Sequence, residues 1–268
     1  MIVGRRSFRR GASTSRPEPT VSDPVQPNAT PRRAFLGQLA TVAVGVAASA
    51  CASGAAATGT GPPAPAPAPV PAADIPKLPP APPMPALEFD DAWASRLTGR
   101  YRAVFDSPAI EDGTAVFNAY TYMQGFKDMY QVQDVDVNAV IVMRHMAIPM
   151  VFDDAIWAHY QLGEYTKIKE PGSENWVARN PFWKALPDDK AGADFTLDAL
   201  QARGAVLLGC ALATRGFAGI LAERTNDHAD AVFDELRRHL IPGLQLQPSG
   251  IFAVMRAQVA GCHYMRST

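Results

Sequence analysis

Cysteine is scarce in this chain, whose 268 residues contain three. Only Cys210 and Cys262 follow residue 51, and two thiols are far too few for a disulfide-stapled scaffold. No apolar run after residue 50 reaches the about 20 residues that a membrane span requires. The domain-sized remainder is long enough to fold around a substantial hydrophobic core without disulfide staples.

The chain also lacks the short motifs of several enzyme classes. It has no P-loop, no GxGxxG dinucleotide fingerprint and no Ser/His/Asp arrangement. Its histidines and cysteines show neither HxxxH nor CxxC spacing, so His145, His159 and Cys210 form no recognisable metal-binding pattern. These absences leave no cofactor and no metal to predict, and they leave open whether the protein is an enzyme.

Positive charge is concentrated at the N-terminus. Seven of the 25 basic residues and two of the 26 acidic residues precede residue 74, so the remaining chain carries a net charge near −6. A mildly acidic domain without a Lys/Arg cluster argues against binding to nucleic acid.

The most informative stretch covers residues 30–37, Thr-Pro-Arg-Arg-Ala-Phe-Leu-Gly, which an apolar run over residues 39–50 follows. The pair Arg32 and Arg33, with Phe35 and Leu36 behind it, resembles a bacterial twin-arginine export signal. The apolar run is too short and too rich in Ala and Gly for a stable membrane span. The resemblance implies that residues 1–50 are a signal peptide, that the twin-arginine (Tat) export machinery is a partner, and that the protein folds before export.

The residues that follow the apolar run allow three alternatives for how the signal segment is processed. Ala48-Ser49-Ala50 has the small-x-small pattern that a signal peptidase cleaves, which predicts cleavage after Ala50. Together with Cys51 the same residues resemble a lipobox, in which the cysteine becomes the lipidated first residue. The mature chain is then either a soluble periplasmic protein or an envelope-anchored lipoprotein. An uncut signal helix that serves as an anchor is a third alternative.

Residues 51–86 are a low-complexity linker, with 12 of the chain's 24 prolines between Pro62 and Pro85. Such a stretch cannot bury apolar area, so we predict a disordered, semi-extended spacer. Residues 87–268 are then one domain, long enough for a substantial core.

Within this domain, apolar segments predict strands. Residues 137–143 and 205–211 are near-continuous apolar runs, which is typical of strands covered on both faces. Residues 102–106 and 262–265 are shorter strand candidates.

Helical periodicity fills the intervals between the strands. The predicted helices cover residues 112–131, 153–162, 197–203, 217–223, 230–240 and 251–259. Gly163, Gly204 and Gly261 are expected to end three of them, and Asp153 and Asp154 to cap a helix start. Helices that alternate with strands indicate an α/β fold, with a mostly parallel, doubly wound sheet and helices on both faces.

Three segments together resemble the DsrE-like sulfur-relay family. They are the strand that ends in Met143-Arg144-His145, the element over residues 200–210 that ends in Cys210, and the closing helix-Gly-strand over residues 250–264. The resemblance covers most of residues 100–268. It implies an α/β sheet, a homo-oligomer, and a cysteine that carries persulfide sulfur between partners. Cys210 is the position that matches that cysteine.

Cys210 is the principal catalytic candidate. It lies near the C-terminal end of a predicted strand, where open α/β sheets collect their ligands. The N-terminus of the next helix and Arg215 would favour the thiolate, the form that attacks sulfur. The alternative is a buried cysteine that behaves as a small hydrophobe. A bridge to Cys262 would also abolish relay chemistry.

The remaining candidates are less specific. His145 ends the neighbouring strand and could be a base, a hydrogen-bond donor or a metal ligand, or else a structural histidine that caps a loop. Arg179 and Asn180 belong to an aromatic segment, residues 176–183, which could line a pocket, form an oligomer contact or pack over the sheet.

We therefore expect an exported cell-envelope protein that binds or relays a sulfur species or another small molecule through Cys210. The alternative function is a non-catalytic interaction module that oligomerises or docks a partner through residues 176–183.

Overall fold

The computed structural model describes residues 82, 84–186, 189 and 192–268. The twin-arginine pattern, Cys51 and most of the predicted linker lie outside the described residues. The described chain contains a five-stranded sheet in the order β4-β3-β2-β1-β5, in which every neighbouring pair is parallel. The strands are β1 (Tyr101–Ser107), β2 (Val137–Met143), β3 (Val206–Cys210), β4 (Gln245–Gln247) and β5 (His263–Arg266). The prediction of an α/β fold with a parallel sheet is confirmed.

The central strand β2 shows why this sheet forms. All seven of its residues are buried, and alternate side chains enter two separate cores. Ile141 and Met143 belong to the larger core, whereas Val140 and Val142 belong to the smaller one. A parallel strand buried on both faces gains apolar burial from every residue, which explains the continuous apolar run in the sequence.

Six helices pack on the larger core and cover what we call the thick face of the sheet. They are α1 (Thr114–Tyr130), α2 (Asp154–His159), α3 (Leu162–Thr166), α4 (Leu197–Ala202), α5 (Ala211–Thr225) and α6 (Ala229–Arg238). Asp153 caps α2 as predicted, because its Oδ1 accepts the Ile156 N–H at 3.2 Å.

The opposite, thin face is covered by less chain. Helix α7 (Gly250–Val259) and the 3-10 helix Ala92–Arg96 supply its core residues, among them Trp93 and Val254. Helix α7 connects β4 at one edge of the sheet to β5 at the other, so it crosses the three central strands. This single helix therefore shields most of the thin face.

An extended strap, residues 84–91, runs over α6 and beside the outer edge of β4. The Met84 N–H donates to the Asp234 carboxylate at 3.0 Å, and Arg237 Nη2 donates to the Pro85 carbonyl at 2.9 Å. Gln247 Nε2 of β4 donates to the Asp90 carbonyl at 2.9 Å. Because an uncovered edge strand invites pairing with other chains, the strap protects this side of the sheet.

The structure corrects several predicted boundaries. Residues 153–162 do not form one helix that Gly163 ends. Gln161 adopts a left-handed conformation that separates α2 from α3, and Gly163 lies inside α3. A Cβ on Gly163 would meet the Val177 carbonyl oxygen, so this glycine serves a close approach between chain segments. The helix expected from residue 217 already begins at Ala211, and the short strand β4 was not predicted.

Candidate functional site

The C-terminal ends of β1, β2 and β3 lie side by side and form the C-terminal edge of the sheet, which runs across the strands. Asp106 of β1 pairs in register with Val142 of β2, which pairs with Leu208 of β3. Arg144 and Cys210 lie two residues after Val142 and Leu208, so both are found at the same end of the sheet as Asp106. This is the edge at which open α/β sheets bind ligands. The expectation that the ends of these strands share one edge is confirmed by the register.

A charged cluster joins three of the strand ends. Arg144 Nε donates to Asp106 Oδ1 at 2.7 Å, and Arg144 Nη2 donates to Asp106 Oδ2 at 2.9 Å. Tyr264 of β5 donates its hydroxyl hydrogen to the same Oδ2 at 2.9 Å. A bidentate pair of this kind fixes the guanidinium plane, and the Asp106 carboxylate is 3 % exposed. The cluster locks β2 and β5 to β1.

The guanidinium of Arg144 is held as a permanent cation. Its pKa is raised by the hydrogen bond to Asp106, and burial acts in the opposite direction. Coulombic interaction with Asp106, Tyr264 and Cys210 raises the pKa further. Arg144 is therefore a fixed positive charge at the end of the sheet that also carries Cys210.

Helix α7 begins directly beside Arg144. A Cβ on Gly250 would lie 2.5 Å from Arg144 Cβ, so only glycine lets the helix approach this closely. The Ser249 hydroxyl caps the helix by accepting the Phe252 N–H at 3.0 Å. The pair Ser249-Gly250 thus brings the positive end of α7 to the edge that carries Arg144.

Cys210 occupies the junction between β3 and α5. Its Sγ accepts the Ala213 N–H at 3.3 Å, so the thiol takes the N-cap position of the helix. Its carbonyl accepts the Thr214 hydroxyl at 3.0 Å. The residue is 6 % exposed. Cys210 therefore combines the helix N-terminus expected from the sequence with the burial of the alternative interpretation.

The other predicted site residues are placed differently. His145 is exposed, has a φ of 51° and opens the 3-10 helix His145–Val151 directly after Arg144. Arg215 pairs with Asp230 at 2.9 Å and lies over the Phe233 ring at 4.0 Å, on the side of α5 that faces α6. His145 thus shares the sheet edge with Cys210, while Arg215 is engaged by α6.

Asn180 and Arg179 are each bound to neighbouring protein groups. Asn180 is completely buried and donates to the carbonyls of Met150 and Phe152, at 2.9 and 2.7 Å. Its side-chain oxygen accepts the Phe182 N–H at 3.0 Å. Arg179 Nη2 donates to the Lys184 carbonyl at 2.8 Å. These contacts give Asn180 a structural role in holding residues 176–183 against the body.

The aromatic segment itself is largely engaged in packing. Phe182 is buried and meets the Trp157 ring edge-on, with 6.3 Å between centroids. Trp176 lies beside the ammonium groups of Lys167 and Lys169, at 5.5 and 5.2 Å. Of the three roles predicted for residues 176–183, these contacts favour packing against the rest of the domain.

The two described cysteines cannot reach each other within one chain. Cys210 ends β3, whereas Cys262 precedes β5, and β2 and β1 lie between them. Three strand spacings amount to about 14 Å, whereas bridged cysteines have Cα atoms less than about 7 Å apart. Both are free thiols, and burial raises the pKa of Cys262 to about 11.

A groove of about 560 Å³ lies between the strap, the first turn of α5 and the length of α6. Ala211, Leu212, Arg215 and Pro248 line one side, close in sequence to Cys210 and the end of β4, and Met84 and Phe89 of the strap belong to its opposite wall. The groove therefore reaches the first turn of α5, the helix that Cys210 caps.

Two features are absent from the residues that the structure describes. No group of three or more His, Cys, Asp or Glu side chains in that part of the chain is placed to hold a metal ion. None of the described helices has the length and apolar character needed to cross a bilayer.

Sequence reasoning missed Asp106, Arg144 and Tyr264 as a cluster. The available signal was a charged residue at the end of each of two adjacent buried strands. The pairing of β5 with β1, which brings Tyr264 to Asp106, could not be predicted from the sequence. Comparisons with protein-family models, with curated proteins and with solved structures find no match to this chain.

Proposed function

We propose that this chain is an exported cell-envelope protein of the DsrE-like kind that binds or relays a sulfur species through Cys210. The observation that carries the proposal is the position of the Cys210 sulfur at the N-terminus of α5, where it accepts the Ala213 N–H. An amide donor and the positive end of a helix are surroundings in which reactive cysteines are found. Arg144, which its hydrogen bond to Asp106 keeps charged, lies at the same end of the sheet.

The chemistry is a sulfur transfer that needs no external oxidant. The Cys210 thiolate attacks the outer sulfur of a donor persulfide, R–S–SH. A new bond forms between Sγ and that sulfur, the donor S–S bond breaks, and the donor leaves as the thiolate R–S⁻. The proton stays on the transferred sulfur, and the reverse reaction with an acceptor thiol completes the relay.

Access to the sulfur decides between relay and structural roles. The full chain is incubated with a persulfide donor or a thiol-labelling reagent, native and then denatured, and Cys51, Cys210 and Cys262 are resolved by peptide mapping. Cys262, buried with its pKa at about 11, is the internal reference for an inert thiol. Native modification of Cys210 by one sulfur atom supports the proposal. If Cys210 reacts as slowly as Cys262 until the protein is denatured, the relay function is refuted.

The proposed location is tested independently of the thiol. Replacing Arg32 and Arg33 by lysine should abolish export, because the twin-arginine route recognises the arginine pair. Replacing the adjacent pair Arg5 and Arg6 in the same way is the matched control and should leave export intact. Incorporation of labelled fatty acid that Cys51→Ala abolishes would identify an envelope-anchored lipoprotein. Its absence would favour a soluble periplasmic protein.

The alternative, a non-catalytic interaction module working through residues 176–183, has weaker support. Phe182 is buried and Asn180 is bound to the body, so little of the segment is free to meet a partner.

A further inference from the structure

Helix α7 is apolar on both of its faces. Ala253, Val254 and Ala257 point into the smaller core. The exposed positions are Ile251, Phe252, Met255, Gln258 and Val259, of which Gln258 alone is polar. A surface helix normally presents charged or polar residues to water, whereas a helix that is hydrophobic all round is buried.

Helix α6 shows what an ordinary surface helix of this chain looks like. It buries Val232, Phe233 and Leu236. Its outward side carries Asp230 and Arg238, which are exposed. The contrast shows that the apolar outer side of α7 is a local property and not a general feature of the fold.

The apolar surface continues onto the neighbouring edge of the sheet. All four residues of β5 are exposed, and in the described sheet β5 pairs with β1 alone. By strand alternation Tyr264 lies on the thin face, the same face as α7. We call the surface formed by Ile251, Phe252, Met255, Val259 and Tyr264 the α7 surface.

The size of the α7 surface is close to what a stable dimer requires. Its side chains are between 42 and 79 % exposed. With roughly 200 Å² available per side chain of this size, the exposed area is on the order of 600 Å². Monomers rarely expose contiguous apolar patches beyond about 600 Å². A standard interface buries about 800 Å² per partner, so the five side chains would supply most of the area needed.

We infer that the α7 surface is covered by the α7 surface of a second copy of this chain, related by a two-fold axis. An isologous contact places the surface against itself. The five side chains of the surface are uncharged, so self-association brings no like charges together among them; Arg266, which strand alternation places on the same face as Tyr264, lies at the border. The DsrE-like resemblance leads us to expect a homo-oligomer but names no surface.

A membrane is the other apolar environment that such a helix could meet. Helices that lie in the membrane interface carry several Lys or Arg residues on their polar side. Helix α7 has one, Arg256, which pairs with Asp91 at 2.8 Å. The charge distribution therefore favours a protein partner over a lipid surface.

The proposed dimer interface would lie beside the candidate site but would take no part in the sulfur transfer at Cys210. Tyr264 belongs to the α7 surface and donates to Asp106, and Gly250 at the start of α7 lies against Arg144. The inference does not depend on the reactivity of Cys210. Cys210→Ala should leave the dimer intact, so the failure of one proposal would be distinguishable from the failure of the other.

The test is sedimentation velocity on the full chain with two double variants. Met255→Glu/Val259→Asp places two charges on the α7 surface. Met129→Glu/Val135→Asp makes the same two changes at exposed positions elsewhere and is the matched control. Both variants keep the same N-terminal residues, so a difference between them reports on α7. All four positions are exposed, and circular dichroism verifies that each variant is folded.

We expect the wild-type chain and the control to be dimers, and the α7 variant to dissociate with a dissociation constant raised more than about tenfold. Met255 should also be oxidised by peroxide more slowly than Met129 in the wild-type chain, since the dimer would cover it. A monomeric wild-type chain, or a dimer that the α7 variant leaves unchanged, overturns the inference. Binding of a monomeric wild-type chain to phosphatidylglycerol vesicles, lost in the α7 variant, would overturn it in favour of a membrane.

Discussion

Replacing Arg144 by methionine should destabilise the fold strongly. The substitution keeps the length and apolar part of the side chain but removes both guanidinium bonds to Asp106. The Asp106 carboxylate then stays buried with Tyr264 as its remaining hydrogen-bond donor in the cluster. A buried charge without its counter-ion is among the most destabilising features that a point substitution can create.

The magnitude follows from the burial of the pair. Breaking a buried ion pair by removing one partner costs about 3–5 kcal/mol. The Arg144 side chain is 23 % exposed, so water already reaches part of the pair. We therefore expect a loss of about 2–4 kcal/mol, which lowers Tm by about 6–12 °C for a domain of this size.

The assay is urea unfolding of single and double variants. Asp106→Asn/Arg144→Met removes both charges, and it should be more stable than the sum of the two single losses predicts by at least about 1 kcal/mol. Arg215→Met is the control, because the pair of Arg215 with Asp230 is exposed to water and should contribute less than about 1 kcal/mol. A loss below about 1 kcal/mol in Arg144→Met, or strictly additive losses, would refute the reasoning.

Three further predictions concern the body of the domain. Gly250→Ala should cost about 1–3 kcal/mol in urea unfolding, because its Cβ has no room. Gly219→Ala in α5, where a Cβ meets nothing within 4 Å, should instead gain about 0.5–1 kcal/mol; equal effects would contradict the packing argument. Burial raises the pKa of Glu235, so its contribution to stability is present in acid and lost as pH rises through that value. Glu235→Gln, which keeps an acceptor for Tyr160, should therefore gain stability relative to wild type as pH rises above the ordinary carboxyl pKa, and a difference that does not change with pH would contradict it. Burial lowers the pKa of His159, so stability is lost as pH falls below its ordinary value. The acid-side slope of unfolding free energy should flatten in His159→Gln and not in His263→Gln, which changes an exposed histidine.

The strands with long apolar runs could be predicted because their burial on two faces leaves a direct trace in composition. Val137–Met143 has the predicted bounds. The strand β4 has no such trace, since it contains three residues, two of which are glutamines. Its position at the covered edge of the sheet comes from the strap and from β3, which are distant in sequence.

Predicted helix boundaries were wrong where a strand continues directly into a helix without a turn between them. Helix α5 begins at Ala211, immediately after the last residue of β3, because the Cys210 sulfur supplies the cap. The usual capping residues are Ser, Thr, Asp and Asn, so nothing marked this start. The sheet edge that carries Cys210 and His145 could be foreseen from strand ends, whereas the pairing of Arg144 with Asp106 depends on register.

The pairing of β5 with β1 has a consequence for the order of folding. Tyr264 and Asp106, which it brings together, are 158 residues apart. At about 5–20 residues per second, some 8–30 s of synthesis separate these two residues. During that interval β1 emerges with one long edge unpaired, and such an edge invites association with other chains. Closing so long a loop is also entropically costly and slow. The growing chain therefore spends its most aggregation-prone period waiting for α7 and β5, which follow all the other described strands and helices.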